Sequence, residues 1–228
     1  MTFSPSFGRI FSPSFKPNSL AEAGGDWWLS GGISSNCAVV YQPKGAADID
    51  SSKINLVSPG TNNAIFTGSV TWDVDDGWII AADSRYVTVG AITGASNFYT
   101  NESFCIFIRA TATNSTGTQA FVGIQSPLVG AAYRSTIKVE HYSQSSYTLY
   151  NDVNPSTICI NGLDIYFDGE YAGTRGSGWA SSTSTKKLYM GYLEGYFWGR
   201  ENVKAFSLYT ANLTADQILA LHTASMAL

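Results

Sequence analysis

The chain has 228 residues, a net charge of -4, and only 13% charged residues against a usual figure of roughly 25%. No Lys/Arg cluster is present, so the counterion release that drives nucleic-acid binding has no footprint and nucleic acid is set aside as a partner. A hydrophobic fraction of 44% argues against wholesale disorder, and 22 glycines in a Ser/Thr-rich chain suit strands joined by turns.

Residues 1–25 read as an extended arm. The segment Phe3-Ser4-Pro5-Ser6-Phe7 returns as Phe11-Ser12-Pro13-Ser14-Phe15. Proline fixes its own φ and biases the preceding residue toward extended geometry, so the rings project from a chain that does not coil into a helix. Two uses are open: folding back over its own domain, or docking on a partner subunit with Phe3, Pro5, Phe7, Phe11, Pro13 and Phe15 as the anchor. No apolar run reaches the ~20 residues that cross a bilayer, and Pro5, Arg9, Pro13 and Lys16 interrupt the N-terminal phenylalanines. Neither a membrane span nor a secretory leader is expected.

Residues 26–228 are expected to form one domain. Short apolar runs separated by Gly, Pro, Asn and Ser recur at the spacing of an all-β sandwich. Cys37 to Tyr41 is the first, followed by Trp78 to Ala82 and Tyr86 to Val89. In the next run, Phe104, Ile106, Ile108 and Ala110 share one face while Cys105 and Phe107 share the other, so this strand should be central and buried on both sides. Ile137 and Val139 alternate with Lys138 and Glu140 as in a half-solvated strand. Asp164 to Phe167 and Glu170 to Thr174 flank Asp168-Gly169, the signature of a type I′ hairpin. Leu188 to Tyr192 and Val203 to Tyr209 complete the strands. One helix follows: Thr214 caps it, Gln217 closes a capping box, Leu213 and Ile218 form a hydrophobic staple, and Ile218 with Leu221 faces the core.

Cys37, Cys105 and Cys159 lie far apart, two of them inside strand-like runs, so buried reduced thiols are expected. His141 and His222 are the only histidines, which leaves a zinc site almost nothing to use.

The order of these elements resembles the laminin-G-like and pentraxin-like members of the concanavalin-A-like lectin superfamily. The residues that carry the resemblance are Asp83 to Val89, the strand from Glu102 to Ala110, the Asp168-Gly169 hairpin, Lys187-Leu188-Tyr189-Met190-Gly191, Phe197-Trp198-Gly199, the strand Val203 to Tyr209, and Leu213-Thr214-Ala215-Asp216-Gln217-Ile218. The departure lies at Arg200-Glu201-Asn202, where such domains often continue with Ile and an acidic strand residue. The resemblance implies a two-sheet antiparallel jelly-roll sandwich with an extended N-terminal arm and one short C-terminal helix. The stretch from Trp27-Trp28 to Ala46 is similar to leaders of such domains in structural proteins of tailed bacteriophages.

Glycosidases of this fold use a Glu-x-Asp-x-x-Glu strand to bring two carboxylates to one sugar bond. Here the glutamates are scattered, and the one acidic cluster is Asp73, Asp75 and Asp76 before Gly77. No enzymatic activity and no cofactor are expected. Calcium is the one cation the cluster invites, but its spacing departs from an EF-hand loop and a solvated turn is the preferred reading. For sugar binding by exposed rings, the candidates are Trp179 in a Gly/Ser-rich loop and Tyr196, Trp198 and Arg200, which alternate along one rim segment. The leading expectation is a virion surface protein, a capsid decoration or tail-associated subunit. In it the arm docks on neighbouring virion subunits and the chain is homo-oligomeric in the particle. The alternative is a carbohydrate- or receptor-binding module of a phage fibre or bacterial adhesin, with a host-surface glycan as partner.

Overall fold

A computed structural model describes residues 25–33, 35–81, 85–89, 103–112, 119–124, 129–135, 138–143, 146–151, 155–174, 188–193, 197–198 and 201–228. Of residues 112, 119–120, 124, 193, 197–198 and the strands between 129 and 151, it describes the backbone. The arm residues Phe3, Pro5, Phe7, Phe11, Pro13 and Phe15 lie outside the described residues.

After a 3₁₀ turn at Trp27–Leu29, the elements in chain order are β1 (Cys37–Tyr41), α1 (Ile49–Ser52), β2 (Ile65–Thr67), β3 (Thr71–Asp73), β4 (Gly77–Ile80), β5 (Tyr86–Val89), β6 (Cys105–Ala112), β7 (Gln119–Ile124) and β8 (Val129–Ser135). There follow β9 (Lys138–Ser143), β10 (Ser146–Asn151), β11 (Thr157–Asn161), β12 (Asp164–Phe167), β13 (Glu170–Thr174), β14 (Leu188–Met190), β15 (Tyr192–Leu193), β16 (Phe197–Trp198), β17 (Glu201–Tyr209) and α2 (Ala215–Met226). Among the described residues no helix is long and apolar enough to cross a membrane.

Fifteen of the described strands form two antiparallel sheets, and β15 and β16 pair as a separate two-stranded ribbon. One holds eight strands in the order β13-β12-β11-β6-β17-β4-β3, with β1 also on β17, and the other holds seven in the order β10-β9-β8-β7-β14-β5-β2. The nine-residue β17 is the spine of the first sheet. β6 runs along one of its edges, while the opposite edge is shared between β4, paired to Glu201–Val203, and β1, paired to Phe206–Tyr209. The runs containing Trp78 and Tyr86, consecutive in sequence, belong to different sheets.

The alternation along β6 works out as its sequence implies. Phe104, Ile106, Ile108 and Ala110 enter the core between the sheets, where they meet Val39, Tyr41, Trp78, Leu188 and Met190. Cys105 and Phe107 face the other way, into a second apolar cluster that α2 and the Trp27–Leu29 turn close with Trp27, Ile218 and Leu221. The eight-stranded sheet is therefore apolar on both faces. Thr214 accepts from the Gln217 amide (3.3 Å) and Gln217 returns to the Thr214 amide (2.9 Å), which completes the expected capping box. At its other end α2 has no basic residue in its last turn. Two cations from elsewhere take that role: buried Arg109 of β6 donates to the Ser225 carbonyl, and Lys44 donates to the Leu228 main-chain oxygen at 2.6 Å.

Polar groups inside the fold are spent on joining segments. Asn55 is fully buried: its Oδ1 accepts from the amides of Val40 (3.0 Å) and Val57 (3.2 Å), and its Nδ2 donates to the Thr61 carbonyl (3.0 Å). The Trp78 indole, packed against Tyr41 and Phe66, donates to Ser52 Oγ of α1 at 2.8 Å. Cys105 and Cys159 are buried with their sulfurs 3.2 Å apart, and burial raises the Cys105 thiol well above its usual range. Burial also pushes the half-buried Cys37 thiol up to about 12.

Candidate ligand-binding site

Three tyrosines from separated parts of the chain meet at one end of the seven-stranded sheet. On β14, Leu188 and Met190 fill the core between the sheets, so Tyr189 between them stands on the outer face. β5 pairs with β14 through Thr88 and Tyr189, which places Tyr86, two residues from Thr88, on that same face. Gly191 then turns the chain with φ +77°, and a side chain there would meet Ile80 Cδ1 at 2.9 Å. That turn returns Tyr192 to the group. Tyr86 and Tyr192 stack with centroids 5.1 Å apart and 24° between their planes. Tyr189 meets both edge-on, at 5.3 and 5.2 Å. Tyr189 is 6% exposed, whereas Tyr86 and Tyr192 are half-buried and present part of their surface to solvent.

Of the aromatics expected to bind sugar, Trp198 lies on β16, whose backbone pairs with β15 so that Trp198 is the register partner of Tyr192. The backbone of Trp198 therefore adjoins that of Tyr192. Trp179, Tyr196 and Arg200 lie outside the described residues. Sequence reading missed Tyr86, Tyr189 and Tyr192 as a site; the one local signal was Gly191 between two tyrosine-bearing runs.

A buried carboxyl lies near this turn on the core side. Glu201 shares the inner face of β17 with Val203, pairs with Ile80 on β4, and is 2% exposed. Among the described residues neither of its carboxyl oxygens has a hydrogen-bond partner. Burial raises this carboxyl well above the usual range, offset only in part by the nearby Gly191 amide, which itself donates to the Phe121 carbonyl at 3.1 Å. A neutral carboxyl is the form that such an apolar setting favours.

A second polar cluster serves the fold. Asp168, at φ +51° in the β12–β13 turn, accepts from the amides of Ser156 (2.8 Å) and Thr157 (2.9 Å). The Thr157 hydroxyl lies 3.0 Å from His222 Nδ1, and Asp168 lies 3.9 Å from the same nitrogen. A nucleophile relay needs the hydroxyl and the carboxylate on opposite ring nitrogens. Here both face Nδ1 and Thr157 is 1% exposed, so the contacts fasten the hairpin to α2.

In the acidic cluster, Asp73 Oδ1 accepts from the amides of Asp75 (2.8 Å) and Asp76 (3.2 Å), which closes the β3–β4 turn. Asp76 lies 3.5 Å from Lys204 Nζ. Those oxygens are engaged in holding the turn, and among the described residues no group of three His, Cys, Asp or Glu side chains converges as metal ligands would.

No family model matches the chain, and no curated protein sequence is similar to it. Solved structures share its fold. A Trypanosoma rangeli sialidase in complex with sialic acid superimposes with a TM-score of 0.62 and 11% identity, over 83% of this chain and 33% of that one. The binding domain of botulinum neurotoxin DC in complex with SialylT gives 0.56 and 14% over 84% of this chain and 52% of that one. The same binding domain in complex with rat synaptotagmin II gives 0.56 and 14% over 83% and 52%. This chain thus spans a third of the sialidase and about half of the toxin fragment.

The sialidase likeness corrects one expectation, that the chain lacks enzymatic activity. The same sandwich occurs within chains that are sialidases, so scattered glutamates give no ground for excluding an enzyme. The physical reason is that a sandwich gathers side chains from separate strands and rim loops, so one strand motif is not needed to assemble a site. The chain has a lectin-like β-sandwich fold, shared with parts of sialidases and of a toxin binding domain.

Proposed function

We propose that the chain is a carbohydrate-recognition module whose ligand lies against the stacked rings of Tyr86 and Tyr192, beside the β15–β16 hairpin. The observation that carries this is the tyrosine group: two half-buried rings stacked within 24° of parallel and met edge-on by a third, with Tyr192 in register with Trp198. Aromatic rings offer broad apolar faces with a polar hydroxyl at the edge, which suits a sugar with one apolar face and a rim of hydroxyls. Support also comes from the folds it resembles, since the sialidase was solved with sialic acid and the toxin binding domain with SialylT. The laminin-G-like order of motifs agrees with such a role.

The test is a glycan array probed with the intact chain, Tyr192→Ala, Tyr86→Ala, and Tyr171→Ala, whose ring is exposed on β13 of the other sheet. Each site variant should lose about tenfold or more in affinity, with Tyr171→Ala unchanged. Equal binding by all four chains, or none by the intact chain, overturns the reading.

A narrower setting, display on a virion with residues 1–25 as attachment, draws its support from the repeated Phe-Ser-Pro-Ser-Phe segment. Deletion of residues 1–17, which hold both repeats, should then abolish incorporation into particles, and full occupancy by the shortened chain refutes it.

A further inference from the structure

Two nucleophilic side chains far from the tyrosine group lie against each other. Cys105 of β6 and Cys159 of β11 have their sulfurs 3.2 Å apart, and both are buried in the apolar layer that α2 closes. Register brings them together. Cys159 stands opposite Phe107 and Cys105 opposite Asn161, so the cysteines are diagonal neighbours on one face of the sheet. Among the described residues no third side chain joins them as a metal ligand would.

We infer that Cys105 and Cys159 are a disulfide site, closed by thiol–disulfide exchange as the chain folds. A disulfide holds its sulfurs at about 2.05 Å, so the pair has only about 1 Å left to close. The oxidant is a small disulfide. One cysteine thiolate attacks it, expels one small thiolate and is left as a mixed disulfide; the second cysteine sulfur then displaces the other small thiolate, and the Cys105–Cys159 bond forms. The two cysteine thiols give up two electrons and two protons, and the small disulfide becomes two thiols. Both sulfurs are buried once α2 and the Trp27–Leu29 turn cover the sheet. Because the thiolate is the form that reacts, the finished fold keeps the oxidant out, and exchange belongs to the chain before that cover is in place.

The bond has a definite place in the topology. The two cysteines are 54 residues apart in sequence, and the segment between them carries β7 to β10, four of the seven strands of the opposite sheet. The chain leaves the eight-stranded sheet on β6 and returns to it on the neighbouring β11. A Cys105–Cys159 bond therefore ties the start of this excursion to its end. Diagonal neighbours lie farther apart at the backbone than opposed ones, so the bond is strained and stays open to reduction. It is a reversible tie, made when the chain folds in an oxidising setting and missing in a reducing one.

The bond is independent of the carbohydrate reading. The full chain is unfolded in urea, refolded in glutathione buffer with oxidised glutathione in about tenfold excess, and its free thiols are then alkylated. The product should carry one label, on Cys37, and yield the tryptic peptides 86–109 and 139–175 as a linked pair that dithiothreitol separates. Its tryptophan fluorescence should match that of the chain refolded in dithiothreitol. The bond should form in about tenfold higher yield than in chain held in urea with the same buffer, because folding raises the effective concentration of one sulfur at the other, and Cys37→Ser should keep it. Three alkylated cysteines after refolding, a bond that involves Cys37, equal yield in urea, or a bonded product without the native fluorescence overturns the inference.

Discussion

Replacing Glu201 by glutamine should stabilise the protein at neutral pH and leave it nearly unchanged near pH 4. The carboxyl is fully buried, and burial raises it well above the ordinary range. The folded state therefore keeps a proton that the unfolded chain, with a carboxyl near about 4.3, has released. With one more proton bound in the folded state, the free energy of unfolding falls by about 1.4 kcal/mol per pH unit. This loss begins as pH rises through the unfolded value and stops at the raised folded value. Below that window both states are protonated and nothing is lost; above it the whole penalty is carried.

Glutamine has nearly the same volume and no charge at any pH, so the variant lacks this slope while keeping the packing. Urea denaturation followed by tryptophan fluorescence, from about pH 4 to about pH 8, gives the stability of both chains, and their difference removes every group they share. The difference should open above the unfolded carboxyl value and grow at about 1.4 kcal/mol per unit. A difference that stays flat across the range would show that Glu201 ionises as easily in the folded chain as in the unfolded one, and would refute the account of its burial.

Asn55→Ala leaves the buried Val40 amide without an acceptor and unties the 55–61 segment from β1, so chemical denaturation should register a loss of about 2 to 4 kcal/mol. Gly169→Ala should cost about 1 to 2 kcal/mol more than Gly60→Ala: both sit near φ +85°, but at 169 the new carbon lies 2.9 Å from Leu219 Cδ1 and at 60 it meets nothing within 4 Å. Thermal melts of the two variants make the comparison. Cys37, with its thiol pushed up to about 12, should react with an aromatic disulfide reagent at pH 8 about a hundredfold more slowly than free cysteine. It should match free cysteine once urea unfolds the chain.

Local features of this fold were open to reading from sequence because their causes are local. The Asp168-Gly169 turn needs two residues that tolerate positive φ, and both have it, at +51° and +84°. The cap of α2 lies within four consecutive residues, Thr214 to Gln217. The double-sided burial of β6 follows from its own alternation. The tyrosine site has no such local cause: Tyr86 and Tyr189 are brought together only because β14 inserts between β5 and β7, a pairing set by the closing of the sheets. Trp198 could be proposed from the rim segment alone, while its partner Tyr192 emerged only from the backbone pairing. Glu201 read as one of several scattered glutamates, because its seclusion depends on its pairing with Ile80, far from it in sequence.

The position of β17 bears on how the chain matures. β1, β4 and β6 all find an edge on Glu201–Tyr209, so the eight-stranded sheet lacks its middle until residues 201–209 have left the ribosome. Assembly of this sheet then waits for its last strand and is slow, as expected when most pairings join distant segments. Until then the early strands wait with open edges, and translation stalled before residue 201 should yield a nascent chain that chaperones hold and proteases cut.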